Sequence, residues 1–176
     1  MSEQSLAERL NRIKLVLTDC DGVLTDGKIY YTSGGQEIKA FHAQDGKGLK
    51  LLEGEGIISG IITGRESQMV TRRARELGIK EVHQEINDKL EIFHKIIHKY
   101  DLSAAETVYI GDDINDIPVL KKSGFSAAVA DAVKEVKNEV DYVTEKKGGC
   151  GALREVIDLI LKYRSEPKGG REYSQQ

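Results

Sequence analysis

The sequence predicts an α/β fold: a Rossmann-like, mostly parallel sheet with helices on both faces and an inserted β-hairpin. Three observations carry that prediction. Short β-rich runs alternate with amphipathic stretches through most of the 176 residues, the order that builds βαβ units. The first apolar run, Ile13-Lys14-Leu15-Val16-Leu17, passes straight into Thr18-Asp19-Cys20-Asp21-Gly22-Val23-Leu24, and open α/β sheets bind their ligands just outside such strand ends. Two strand-like runs joined by Thr32-Ser33-Gly34-Gly35-Gln36 interrupt the alternation once and read as a hairpin.

In chain order, the sheet strands fall at residues 14–18, 57–62, 107–110, 125–129 and 141–143. The hairpin arms fall at 28–31 and 38–41, an insertion of about 27–41 after the first strand. Helices are predicted at 47–55, 67–77, 89–100, 115–122, 134–139 and 153–163, with Gly78 as the stop of the second. No internal repeat is present. The length suits a single domain, placed at 1–163. Only residues 165–176 have a disordered composition, so 164–176 is expected to be a flexible tail.

The formal net charge is −3, from 26 basic and 29 acidic residues spread along the chain. That balance argues against nucleic acid as a partner and requires any charged small substrate to be met by local basic residues. No apolar stretch approaches the ~20 residues of a membrane span, and the first twelve residues lack the apolar core of a signal peptide. A cytoplasmic protein without a membrane partner is expected. Cys20 and Cys150 make no disulfide framework and have no metal-spaced partners, so both read as small packing residues.

The chemistry concentrates at strand ends. Alternation along a strand puts Asp19 and Asp21 on one side and Cys20 on the other. Two carboxylates this close repel unless a cation lies between them, which points to a hard divalent metal, Mg²⁺. The second strand ends in Thr63-Gly64-Arg65, where a hydroxyl can hold a phosphoryl oxygen beside a guanidinium. Lys89 opens a helix after Asn87-Asp88 and can neutralise charge on an attacking carboxylate and a phosphate together. The third strand ends in Gly111-Asp112-Asp113-Ile114-Asn115-Asp116, a cluster able to complete a metal shell. Taken singly, each has a plainer reading: a turn with solvated acids, a surface lysine, a helix N-cap.

Taken together and in order, Asp19-x-Asp21-Gly22, Thr63-Gly64-Arg65, Lys89 and Gly111-Asp112-Asp113-x-x-Asp116 resemble the four motifs of the haloacid dehalogenase superfamily of phosphatases. The resemblance implies that Asp19 is the nucleophile and forms an aspartyl-phosphate. It makes Asp21 the general acid and base, with its backbone carbonyl on Mg²⁺, and Asp112 the remaining protein ligand. Asp113 or Asp116 would support the metal through water. An Asp at position 21 favours rapid hydrolysis, where ion-pumping members that preserve the phosphoenzyme carry Thr. About twenty residues separate Asp26 from Lys47, and a similar span separates Arg65 from Lys89, too few for a cap domain. The hairpin is the natural closure, and its edges can pair between subunits.

Phe41-His42-Ala43-Gln44-Asp45-Gly46-Lys47-Gly48 and Gly148-Gly149-Cys150-Gly151-Ala152-Leu153-Arg154-Glu155 narrow the resemblance to the 3-deoxy-D-manno-octulosonate 8-phosphate phosphatase family. This implies hydrolysis of an acidic sugar phosphate in lipopolysaccharide sugar biosynthesis. It also implies a homotetramer in which the hairpin and tail of one subunit help close the next subunit's site. Implied substrate contacts are Asp21, His42, Ala43, Gln44, Asp45, Gly46, Gly64, Arg65, Arg73 and Lys89; by position alone, Lys50, four residues after Gly46 on one helical face, and Asn115, in the first turn after the acidic cluster where it could equally cap the helix, are further candidates. Ala43 and Gln44 replace the family's Val and Arg, turning a charged contact into a neutral one. Arg65 and Arg73 match the family's basic pair, whereas the related phosphatases of nonulosonate (sialic-acid-type) 9-phosphates tend to carry Glu at position 65. His83, His94 and His98 read as surface or helix-face residues rather than ligands. A different class, the receiver domain of a signalling relay, also combines an aspartyl-phosphate, Mg²⁺, Thr and Lys, but its acidic pair comes first in the chain.

Overall fold

The structure, a computed structural model, describes residues 3–164. Its elements in chain order are α1 (Glu3–Asn11), β1 (Leu15–Thr18), β2 (Tyr30–Tyr31), β3 (Glu37–Ile38), α2 (Ala43–Gly54), β4 (Ile58–Ile62), α3 (Gln68–Leu77), β5 (Glu81–His83), α4 (Lys89–Lys99), β6 (Thr107–Gly111), α5 (Ile117–Leu120), β7 (Phe125–Ala128), α6 (Lys134–Lys137), β8 (Tyr142–Val143) and α7 (Ala152–Lys162). Six strands form one parallel sheet in the order β5-β4-β1-β6-β7-β8, and β2 and β3 form a separate antiparallel pair. The predicted α/β fold with an inserted hairpin is the one observed.

β1 is buried along its whole length, as a strand apolar on both faces must be in a parallel sheet. It pairs with β4 on one side and β6 on the other, Leu15 lying opposite both Ile58 and Thr107. The chain therefore builds outward from β1 through β4 to β5, then returns across β1 to start again at β6. Right-handed crossovers put the connecting helices of the two halves on opposite faces. α2 accordingly packs against α3 and α7, and α4 against α5. Leu153, Val156, Ile157 and Ile160 of α7 are fully buried, each contributing roughly 1.5–3 kcal/mol relative to exposure. The reversal of direction at β1 leaves a crevice beyond the carboxyl ends of β1, β4 and β6, where a ligand of such a sheet binds.

Several boundaries differ from the sequence prediction. α2 begins at Ala43 rather than at 47, with His42 extended at its N-cap. The helix expected over 115–122 breaks into a 3₁₀ turn, Ile114–Asp116, and α5, because Pro118 has no N–H and suits only a first turn. β5 pairs with Gly60, Ile61 and Ile62 of β4, although its three residues are too few and too polar to read as a strand. α1 also went unread; it is held by fully buried Leu10 and by Arg9, which donates to Gly124 O and the Asp141 carboxylate. Cys20 is a buried packing residue as expected, but Cys150 is exposed and is not. The flexible tail expected at 164–176 lies outside the described residues from position 165 onward.

Candidate active site

At the switch point, Asp19, Asp21, Thr63, Gly64, Arg65, Asp112, Asp113 and Asn115 line a cleft of about 160 Å³. Three strand ends deliver them: Asp19 follows β1, Thr63 follows β4 and Asp112 follows β6. Asp19 N is held by Ile110 O at 3.0 Å and Thr63 N by His83 O at 2.9 Å, so the sheet ladder continues to the floor of the cleft. Gly22 takes a φ of +100°, and a Cβ there would run into the Asp112 carboxylate. The turn can thus close over the acidic pair only without a side chain. The later glycine run buttresses the same turn, with Gly149 N donating to Val23 O at 2.9 Å. A larger groove of about 710 Å³ separates the hairpin from the start of α3, but Asp19, Asp21 and Asp112 do not line it.

Asp116 is the hub beneath the cleft. It is 0% exposed. Its Oδ1 accepts from Lys89 Nζ at 2.7 Å and Tyr109 OH at 2.8 Å, and its Oδ2 accepts from the backbone N–H groups of Asp112 at 3.0 Å and Asp113 at 3.3 Å. One carboxylate therefore fixes both the buried lysine and the acidic loop. Lys89 Nζ also lies 2.9 Å from Asp19 Oδ1 as an ion pair, while that oxygen has no hydrogen-bond partner. Burial opposes the charge of Lys89, yet Asp19 and Asp116 outweigh it and hold the ammonium's pKa above its ordinary value.

The electrostatics of the floor call for a cation. Burial pushes Asp19 up to about 6 despite Lys89. Burial, then the charges of Asp19 and Asp116, push Asp112 up to about 8. Single carboxylate oxygens of Asp19, Asp112 and Asp116 lie within 4.8 Å of one another. Asp19 Oδ1 and Asp112 Oδ1 are buried without hydrogen-bond partners, whereas both Asp116 oxygens are engaged. Hard oxygen donors, clustered and on Asp19 and Asp112 free of hydrogen bonds, fit Mg²⁺.

The rim is built from the hairpin. Lys39, next after β3, places its ammonium on Asp21 Oδ1. Glu37 accepts from Ser67 Oγ at 2.5 Å and pairs with Arg65 Nη2 at 3.3 Å, and Arg65 Nη2 lies 3.4 Å from Tyr31 OH. Arg65 Nε reaches to 3.9 Å from Asp21 Oδ2. Thr25 Oγ1 lies 3.4 Å from Asp21 Oδ1. The sequence reading missed Lys39, Glu37, Tyr109 and Thr25. Alternation puts Glu37 and Lys39, two apart on a strand, on one face, and only the fold shows that this face turns to the cleft.

The cleft thus gathers Asp19, Asp21, Thr63, Gly64, Arg65, Asp112, Asp113 and Asn115, with Lys89 beneath it. Other expected positions go elsewhere. Arg73 does not join Arg65: it lies five residues into α3, about 8 Å from the helix start, and lines a separate small cavity with His42, Asp45 and Gly46. Its Nη1 pairs with Glu76 at 3.2 Å. Lys50 pairs with Glu53 at 3.0 Å near Gly78, where α3 ends, so it points away from the mouth toward the opposite end of the sheet. Asp116 lies beneath the cleft with both oxygens engaged, and it anchors Lys89 and the acidic loop. Asp113 is exposed and caps Ile114 N at 2.7 Å. Ala43 and Gln44 are exposed at the start of α2, and buried Asp45 accepts from Arg154 N at 2.8 Å, tying α2 to α7.

Comparison with known proteins gives a consistent picture. The haloacid dehalogenase-like hydrolase family matches residues 81–156. The chain is 42% identical over 157 residues to the 3-deoxy-D-manno-octulosonate 8-phosphate phosphatase KdsC of Haemophilus influenzae, covering 89% of this chain and 87% of that one. It is 41% identical over 162 residues to the KdsC of Yersinia pestis, covering 92% and 87%. Among solved structures, the phosphatase of the same name from Moraxella catarrhalis, in complex with a magnesium ion, a phosphate ion and a KDO molecule, superposes with a TM-score of 0.90. It is 43% identical, with 93% of this chain and 94% of that chain covered.

Proposed function

This chain belongs to the 3-deoxy-D-manno-octulosonate 8-phosphate phosphatase family of haloacid dehalogenase-like hydrolases, and from that premise we infer how its own residues carry the reaction. It is a Mg²⁺-dependent phosphomonoesterase for 3-deoxy-D-manno-octulosonate 8-phosphate. The observation that carries the assignment of residues is the pair of buried oxygens on Asp19 and Asp112 that accept no hydrogen bond, beside a lysine held by Asp116.

The carboxylates of Asp19 and Asp112, with the Asp21 backbone carbonyl, would hold the metal. Bound there, Mg²⁺ supplies the positive charge that lets an anionic nucleophile meet an anionic phosphate. Asp19 attacks phosphorus in line and forms the aspartyl-phosphate. Thr63 holds a phosphoryl oxygen, and Lys89 balances the charge shared by the nucleophile and the phosphoryl group. Asp21 protonates the departing sugar oxygen, then takes a proton from the water that hydrolyses the intermediate. Arg65 meets the carboxylate of the sugar acid from the rim. The receiver-like switch finds no support, since the family named by these relatives is one of phosphatases.

The same reading includes a cytoplasmic homotetramer whose hairpins and tails contribute to neighbouring sites. The hairpin's exposed apolar side chains, with Tyr31 at 63% and Ile29 at 52%, support an assembly role for it. No helix among the described residues is long and apolar enough to cross a membrane. The test is a phosphatase screen over sugar phosphates with Mg²⁺, ranked by kcat/KM. The eight-carbon acid 8-phosphate is expected among the best substrates; a nonulosonate 9-phosphate far ahead of it would overturn the substrate assignment.

A further inference from the structure

Lys39 buries an ammonium on a hairpin that is otherwise largely open to water. Its side chain is 4% exposed, whereas its neighbour Ile38 is 51% exposed. Burying a lysine is costly unless its charge is paired. The partner here is Asp21 Oδ1, and Glu37 Oε1 stands 3.9 Å away on the same face of the hairpin. The hairpin is therefore fastened to the residue that handles the proton.

The contacts divide the two oxygens of Asp21. Oδ1 is held by Lys39 and lies within 3.4 Å of Thr25 Oγ1. Oδ2 has no such anchor and faces Arg65 Nε at 3.9 Å across the mouth of the cleft. A carboxylate on a turn can rotate about two side-chain bonds, and general acid catalysis depends on one oxygen staying within hydrogen-bond reach of the group it serves. We propose that Lys39 is a positioning residue for proton transfer, holding Asp21 Oδ1 so that Oδ2 is the oxygen that serves the reaction. Oδ2 gives its proton to the ester oxygen as the bond from that oxygen to phosphorus breaks and the Asp19 oxygen bonds to phosphorus. Water then attacks phosphorus, its proton returns to Oδ2, and the bond from phosphorus to Asp19 breaks to release phosphate. The proposal rests on the reading of Asp21 as the acid and base.

The test compares kcat/KM for phenyl phosphate and 2,4-dinitrophenyl phosphate with the Mg²⁺-loaded enzyme. This ratio reports only the steps through phosphoenzyme formation. Neither substrate carries a sugar carboxylate, so the contact of Arg65 with that group does not enter the comparison. Phenolate is a poor leaving group that needs the proton; dinitrophenolate leaves without it. Lys39→Met is expected to lower kcat/KM for phenyl phosphate by about tenfold or more and for the dinitrophenyl ester by less than about threefold. Lys39→Arg should restore most of the loss. Unaltered kinetics in Lys39→Met, or an equal fall on both substrates, would overturn the proposal, the latter marking a hairpin that has simply detached. Asp21→Asn serves as the reference and should show the same leaving-group dependence more strongly. A split in Asp21→Asn without one in Lys39→Met refutes Lys39 alone, whereas no split in Asp21→Asn refutes the reading of Asp21 and the proposal with it.

Discussion

The floor and the rim of the cleft are built by different means. At the floor, Asp19, Thr63 and Asp112 sit directly on strand ends, and their relative positions follow from the parallel register of β1 with β4 and β6. Asp116, with four donors on its two oxygens, locks the remaining cation in place. At the rim, Glu37, Lys39, Arg65 and Tyr31 meet through a few charged contacts carried by a hairpin of two paired residues in each arm. Backbone ladders and burial fix the first, whereas side-chain contacts join the hairpin of the second to the cleft. Chemistry common to any phosphate ester belongs on the rigid part, and selection of one sugar acid on the adjustable part.

The sharpest break of that contrast is at the floor. Asp19→Asn should abolish turnover and phosphoenzyme formation, since an amide is a poor nucleophile and a neutral ligand; incorporation of labelled phosphate checks it. Asp116→Asn should come next. It removes the charge that holds Lys89 and weakens the loop that carries Asp112, so kcat should fall by roughly 10²-fold or more on every substrate alike, aryl and sugar phosphates included. A substrate-selective effect would place Asp116 in recognition instead.

At the rim the loss should be selective and smaller. Arg65→Ala should lower kcat/KM for the sugar acid phosphate by about ten- to a hundredfold, the loss of a charged hydrogen bond of about 1.5–3 kcal/mol, and an aryl phosphate much less. Arg73→Ala, away from the cleft within one subunit, should cost less than Arg65→Ala. An equal effect of the two on the sugar phosphate would show that a neighbouring subunit brings Arg73 into the site.

The smallest effect is a stability change at the floor. Asp19 at about 6 and Asp112 at about 8 are both raised above the ordinary 3.8, so their contribution to the metal-free fold is complete below about pH 4 and is lost as pH rises toward 8. A bound Mg²⁺ compensates the buried charge and displaces those protons. Its stabilisation should therefore be larger at pH 8 than at pH 6, each kcal/mol raising Tm by about 2–4 °C for a chain of this size. Melting curves at both pH values, with Mg²⁺ and with chelator, decide it; an equal shift at the two would contradict the assignment of these carboxyls to the metal.

The amino-acid sequence alone was enough for the order of the elements other than α1 and β5, and for Asp19, Thr63 and Asp112 at the floor. Asp19, Thr63 and Asp112 were legible because a strand end is a local event: an apolar run, a turn former and a polar residue adjoin in the chain. Lys89 was legible from its place at a helix start, but only together with the other three. What lay beyond the sequence was every contact whose partners are far apart in the chain. Tyr109 reads as one more apolar strand residue until the fold points its hydroxyl at Asp116. Asp116 reads as one more acid of the cluster, and only the fold brings the distant Lys89 to it. Lys39 reads as a solvated hairpin charge until the hairpin folds back onto Asp21. Arg65 and Arg73 read as a pair, and the helix between them carries the second to another cavity. Local patterning specifies which side chains arrive at a strand end, because alternation and helical period act within a few residues. Packing decides which charges meet, because a buried charge must find a partner and only the folded chain determines which one is within reach.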